Sequence, residues 1–160
     1  MKIYLKEHNQ RYLYLNLDNW LIPKESRTPE MTVKDRYKYN DITNDIQKLL
    51  NRETISIKKY DIKNRNTSNE TLELKYNNDS ILIIDWVVSL DIPYLNEISN
   101  LKIFCDIEEG KRKSRFYEFY KYKWLSDEEI TELYNKRQND EYKYIINCKE
   151  TAAYALNINQ

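Results

Sequence analysis

One glycine in 160 residues is the feature that most restricts this chain. Phosphate-cradling loops, dinucleotide fingerprints and nucleophile elbows each need several backbones at positive φ or in close approach to a ligand, and a single Gly110 does not furnish them. Turns must be made by other residues, and Asn, the best non-glycine occupant of the left-handed region, is abundant at 18 copies. Asn, Lys, Ile and Tyr, all written in A/T-rich codons, are enriched together, which points to a low-GC genome. A single histidine removes multi-His zinc sites.

Charge sets the next bound. Lys and Arg total 26 against 26 Asp and Glu, so the chain as a whole has no electrostatic footprint for nucleic acid or anionic lipid. The longest apolar stretch, Ile81 to Val88, is interrupted by Asp85, and the start of the chain lacks the apolar core of a signal peptide. Cys105 and Cys148 stand 43 residues apart with no Cys-x-x-Cys spacing, as in a reduced compartment, and a cytoplasmic protein without membrane contact is expected.

Patterning gives a single α+β domain over residues 1–160, with a mostly antiparallel sheet of about seven strands and two to three helices. Ile3-Tyr4-Leu5 and Tyr12 to Leu15 form an N-terminal hairpin turning through His8 and Asn9. Residues 18 to 40 make a long loop. Ile42, Ile46, Leu49 and Leu50 recur at helical spacing behind a cap at Asn40 or Asp41. A three-stranded meander follows over 54–61, 70–76 and 80–88, its last strand apolar on both faces and therefore central. A second hairpin pairs 101–107 with 115–124 around Gly110. Ser126 and Glu129 make a capping box for a helix to about Gln138, Tyr142 to Ile146 form a C-terminal strand, and 150–156 a short helix.

Residues 111–124 hold six basic residues, one acid and six aromatics, the mixture by which single-strand binders stack bases and track phosphates. Read as a strand with Phe116, Tyr120, Tyr122 and Trp124 inward, the segment offers Lys111, Arg112, Lys113, Arg115, Tyr117, Lys121 and Lys123 as a partner-binding face. Six acids in 85–109 and four in 127–132 flank it, so ordinary cross-strand neutralisation explains the same pattern.

Asp61, with Glu73-Leu74-Lys75 across a hairpin, resembles the sparse signature of the PD-(D/E)XK nucleases. That resemblance implies Mg²⁺ on Asp61 and Glu73 and a water polarised by Lys75. Tyr60 stands where the family has Pro. The inward set of Ile55, Ile57, Leu72 and Leu74 turns Glu73 and Lys75 away from Asp61, which opposes a nuclease site. Asp85, an acid within an apolar strand, is expected to be buried and satisfied by a turn, a Lys or a Tyr. Cys105 and Cys148 read as small buried apolar residues and His8 as a solvated turn residue.

No glycine loop, histidine cluster or cysteine motif remains to carry chemistry, so no catalytic residue, metal or cofactor is expected. Fifteen tyrosines favour recognition of a protein partner, Tyr giving large contact area at little entropic cost. The expectation is a non-enzymatic inhibitor that blocks a macromolecule, of the immunity or anti-defence kind carried by a low-GC bacterium or its phage. A single-stranded nucleic-acid binder using 111–124 is the alternative.

Overall fold

The computed structural model describes residues 5, 7–77 and 79–158. They divide into two compact units, Met1–Ser89 and Leu90–Gln160.

In the first unit, β1 (Tyr12–Asn16) runs into a 3-10 turn, Leu17–Trp20, and further short turns lead to helix α1 (Tyr39–Leu50). Ile42, Ile46 and Leu49 of α1 are fully buried, as their spacing predicts. The helix starts earlier than its sequence suggests, with Lys38 at the cap position and no side-chain capping bond. Strands β2 (Thr54–Asp61) and β3 (Asn66–Lys75) form an antiparallel hairpin, pairing Ile55 with Leu74 and Ile57 with Leu72. Strand β4 (Ile81–Asp85) does not continue this meander. It pairs parallel with β1, from Tyr12 opposite Ile81 to Asn16 opposite Asp85.

The second unit opens with α2 (Pro93–Ile98), whose proline suits the first helical turn, and β5 (Ile103–Asp106). Helix α3 (Glu109–Lys121) and helix α4 (Asp127–Arg137) follow, then a π-helical turn, Gln138–Tyr142, and α5 (Lys143–Asn147). A closing strand, β6 (Tyr154–Asn157), pairs parallel with β5. The Ser126–Glu129 capping box forms in both directions, at 3.2 Å and 2.7 Å.

The expected seven-stranded, mostly antiparallel sheet is therefore corrected. The described strands make three two-stranded sheets, two of them parallel, and helix replaces strand in two places. Residues 115–124 alternate in polarity, yet Arg112, Phe116 and Tyr120 also recur every four residues, and this period is the one that packs on Tyr134. Tyr122 and Trp124, inward on a strand reading, are 73% and 85% exposed. Gly110 sits in the first turn of α3 and not in a hairpin. Tyr142 to Ile146 is helical, and where a terminal helix is expected Ala152 and Ala153 precede β6 and Ala155 lies within it.

Turns are made without glycine: Asn9, Arg52, Arg65 and Trp124 take φ of 51°, 67°, 56° and 64°, and Trp86 takes 132°. Ile3 and Tyr4 of the expected N-terminal hairpin, and Asn78 of the expected 77–79 turn, lie outside the described residues; Leu5 and Glu7 are helical. No helix among the described residues is long and apolar enough to cross a membrane.

Candidate functional site

In an open α/β sheet, the carboxyl ends of parallel strands are where loops leave and ligands are received. At that end of the β1–β4 pair stand Asn16, Asp18 and Asp85. The Asn16 side chain accepts the Asp18 N–H at 2.8 Å, capping the 3-10 turn that carries Asp18. Leu17 and Trp20 anchor this turn in the core, and the Trp20 indole donates to Asp45 of α1 at 2.9 Å. Asp18 is 7% exposed, the one charged side chain among the described residues that is buried.

Three tyrosines surround this carboxylate. The Tyr37 hydroxyl donates to Asp18 Oδ1 at 3.0 Å. The Tyr14 hydroxyl donates to Asp85 Oδ2 at 2.9 Å. Burial first, then the Asp85 hydrogen bond and charge, then the Asp18 charge, push the Tyr14 phenol up to about 12. Burial and the Asp18 charge likewise push the Tyr60 phenol up, against a hydrogen bond from Arg27 and the charges of Arg27 and Arg65. The Tyr60 N–H meets Asn19 Oδ1 at 2.8 Å, tying β2 to the turn.

Trp86, the first residue beyond β4, holds φ at 132°, a region in which a side chain is strained, and the Ser89 N–H and hydroxyl both donate to its carbonyl, at 3.0 Å and 2.8 Å. Such strain collects at functional sites. A cleft of about 440 Å³ opens beside the Leu17–Trp20 turn, lined by Asn19, Trp20, Lys38, Asp41, Asp45 and Lys58 among others.

Asp85 is exposed, not buried, although it does find a tyrosine. The buried acid is Asp18, which sequence reasoning left in a loop. Its signal was the one applied to Asp85: an acid within an apolar run, here Leu15-Asn16-Leu17-Asp18-Asn19-Trp20-Leu21. Cys148 is buried as expected, whereas Cys105 is exposed; the two form no disulfide. His8 is exposed in a turn.

The nuclease residues do not converge. Asp61 lies opposite Asn66 at the turn end of the hairpin, while Glu73 lies opposite Ser56 and Lys75 opposite Thr54, about 17 Å and more along the ladder. A bulge between Lys58 and Tyr60 breaks the register on which the face argument rests. Asp61 accepts from the backbone and side chain of Asn64 and the backbone of Lys63, which hold its carboxyl below the usual range.

The seven residues expected to bind a partner lie on or just beyond α3 and are largely engaged within their own unit. Arg112 stacks over the Tyr142 ring at 3.7 Å and donates to the Tyr134 hydroxyl at 3.1 Å. Lys113 lies 5.6 Å from the Tyr134 ring, Lys123 4.0 Å from the Phe119 ring, and Lys121 pairs with Asp127 at 3.0 Å. The Tyr117 hydroxyl meets Thr131 Oγ1 at 2.7 Å. Lys111 and Arg115 are exposed.

No protein-family model and no curated protein sequence matches the chain. Solved structures do match in fold. The putative fructose transport system kinase from Silicibacter sp. TM1040 is similar with a TM-score of 0.74 at 12% identity, over 96% of this chain and 78% of that one. A possible uridine kinase from Bacillus stearothermophilus is similar with a TM-score of 0.62 at 12% identity, over 97% and 77%. The expectation of a non-enzymatic inhibitor of the immunity or anti-defence kind is overturned by this likeness. It inferred absent catalysis from absent glycine, histidine and cysteine motifs, but a buried carboxylate at a sheet end needs none of them. The chain has the fold of two proteins described as kinases.

Proposed function

We propose that the chain is the acceptor-binding part of a phosphoryl-transfer enzyme, with Asp18 as the base that receives the acceptor's hydroxyl proton. The observation that carries this reading is the buried Asp18 at the carboxyl end of β1, held by Asn16 and Tyr37 beside Asp85. In such a transfer the hydroxyl oxygen attacks the terminal phosphorus, the bond to the leaving diphosphate breaks, and the proton passes to a positioned carboxylate. Fructose and uridine, named in the descriptions of the two similar structures, share a polyhydroxylated sugar, and this is the acceptor class we assign. A cytoplasmic setting suits two cysteines that form no disulfide.

Gly110 lies in a helix, so no glycine turn within the 160 residues cradles a phosphate, and the reading concerns the acceptor side. No group of three His, Cys, Asp or Glu side chains that could hold a metal ion occurs among the described residues. Asp18 and Asp85 alone do not make a cation site, and no step is routed through one.

The protein is titrated with fructose and with uridine while NMR follows the Tyr14 and Tyr37 ring signals. Saturable shifts with one of them are expected, lost in Asp18→Asn at an unchanged fold. Shifts of equal size in Asp18→Asn, or none with either polyol, would end the acceptor reading.

A further inference from the structure

Two arginines of the first unit meet at one phenol. Arg27 caps the 3-10 turn Lys24–Ser26, and Arg65 ends the turn between β2 and β3, one residue before Asn66. Asn66 ties the two turns together: its Oδ1 accepts the Lys24 N–H at 3.2 Å, and its Nδ2 donates to Glu25 Oε1 at 2.8 Å. Asn66 lies opposite Asp61, and the neighbouring pair is Tyr60 opposite Thr67. The Tyr60 hydroxyl takes a hydrogen bond from Arg27, and the charges of Arg27, Arg65 and Asp18 all act on it. Arg27, Tyr60 and Arg65 are half-buried.

Neither guanidinium pairs with a carboxylate. Arg27 is pinned through Nε and Nη2 to the Ile22 carbonyl, at 3.0 Å and 2.8 Å, which fixes its fork and leaves further donors unused. The Arg65 guanidinium has no hydrogen-bond or ion-pair partner among the described residues. The acids on the two turns are engaged otherwise: Glu25 holds Asn66, and Asp61 holds Asn64 and the Lys63 N–H. Two like charges partly withdrawn from water repel each other, and an anion between them turns that repulsion into attraction. Arg65 also holds φ at 56°, a left-handed conformation that suits Asn, its neighbour on either side, better than Arg. The backbone gives no reason for an arginine there.

We propose that Arg27 and Arg65 bind a phosphate group already carried by the acceptor, so that the substrate is a phosphate monoester of a polyol and not the free sugar. This rests on the acceptor reading and deepens it. A monoester, close to a dianion at neutral pH, matches two guanidinium groups, whose forks suit its oxygens. A nucleoside triphosphate carries more charge than two arginines balance, and the chain has no glycine turn for its remaining phosphates. Because the arginines and Asp18 act on the same phenol, the bound phosphate and the reacting hydroxyl fall within the span of one small molecule. Pro23 and Thr67, adjoining the two turns, line the cleft of about 440 Å³, which gives the polyol room.

Calorimetric titration of the whole protein compares fructose with fructose 1-phosphate and fructose 6-phosphate, and uridine with uridine 5′-monophosphate, beside inorganic phosphate and ATP. One monoester is expected to bind about tenfold or more tighter than both its parent polyol and inorganic phosphate. Arg65→Gln, which removes a charge without removing a structural contact, is expected to lower that monoester to the affinity of its parent and to leave the parent unchanged. Arg27→Gln is expected to do the same. A monoester no tighter than its parent overturns the inference, as does a gain that survives Arg65→Gln. The acceptor reading stands in either case if binding of the parent is lost in Asp18→Asn. Inorganic phosphate binding as tightly as every monoester also overturns it, and with no polyol bound it ends the acceptor reading as well. ATP binding that is lost in Arg65→Gln, with no gain for any monoester, assigns the arginines to the phosphoryl donor and overturns the inference.

Discussion

At the scale of single residues, the chemistry gathers where one acid is buried and another is capped by a phenol. Desolvation and two nearby carboxylates disfavour the Tyr14 phenolate, so its folded-state value of about 12 lies above the ordinary tyrosine value of 10.0. Between those two values the folded protein binds more protons than the unfolded chain, and stability falls as pH rises; below the lower value the contribution is complete. Thermal melting from pH 9 to pH 12 is therefore expected to drop more steeply in the native protein than in Tyr14→Phe, and parallel curves would show that the Asp85 contact is not maintained in solution. Asp18 could be found in the sequence by the test that singled out Asp85, because both interrupt apolar runs. Which of the two is buried could not: Asp18 is enclosed by a turn that Leu17 and Trp20 pin down, and Asp85 is left at the open end of its strand.

At the scale of elements, local signals were legible wherever neighbouring residues alone supply the bonds. The α4 capping box closes between Ser126 and Glu129, and the β2–β3 hairpin takes the register its apolar alternation requires. Helix α3 misled because its aromatics satisfy two periods at once, and only the ring of Tyr134 selects one of them. The end of α3 shows how the chain manages without glycine. Leu125 N–H returns to the Tyr120 carbonyl and Trp124 N–H to Lys121, the two bonds of a Schellman ending, with Trp124 in the left-handed position that glycine favours. Trp124 is 85% exposed and loses little burial when truncated. Trp124→Gly is accordingly expected to stabilise the protein by about 1 kcal/mol through relief of the left-handed conformation. Urea denaturation measures this, and a destabilised variant would show that the indole makes contacts worth more than the strain.

At the scale of the whole molecule, equal numbers of acids and bases and a pI near 6.6 leave little net repulsion between copies at neutral pH. Solubility is expected to pass through a minimum between about pH 6 and 7 and to recover by pH 8.5, as light scattering at fixed protein concentration will report; a flat profile would mean that local charge patches outweigh the net balance. Composition alone determined this property, and with it the scarcity of glycine turns and the positions of α1 and α4, because each depends on the residues themselves or on neighbours within a few positions. Tertiary structure decided the rest. Strand β4 lies 71 residues from its partner in chain distance between Tyr14 and Asp85, and no local pattern states whether a strand joins the hairpin beside it or returns to pair with β1. That choice depends on which apolar surfaces meet, and it is what sets Asp18 and Asp85 at the same end of one parallel sheet.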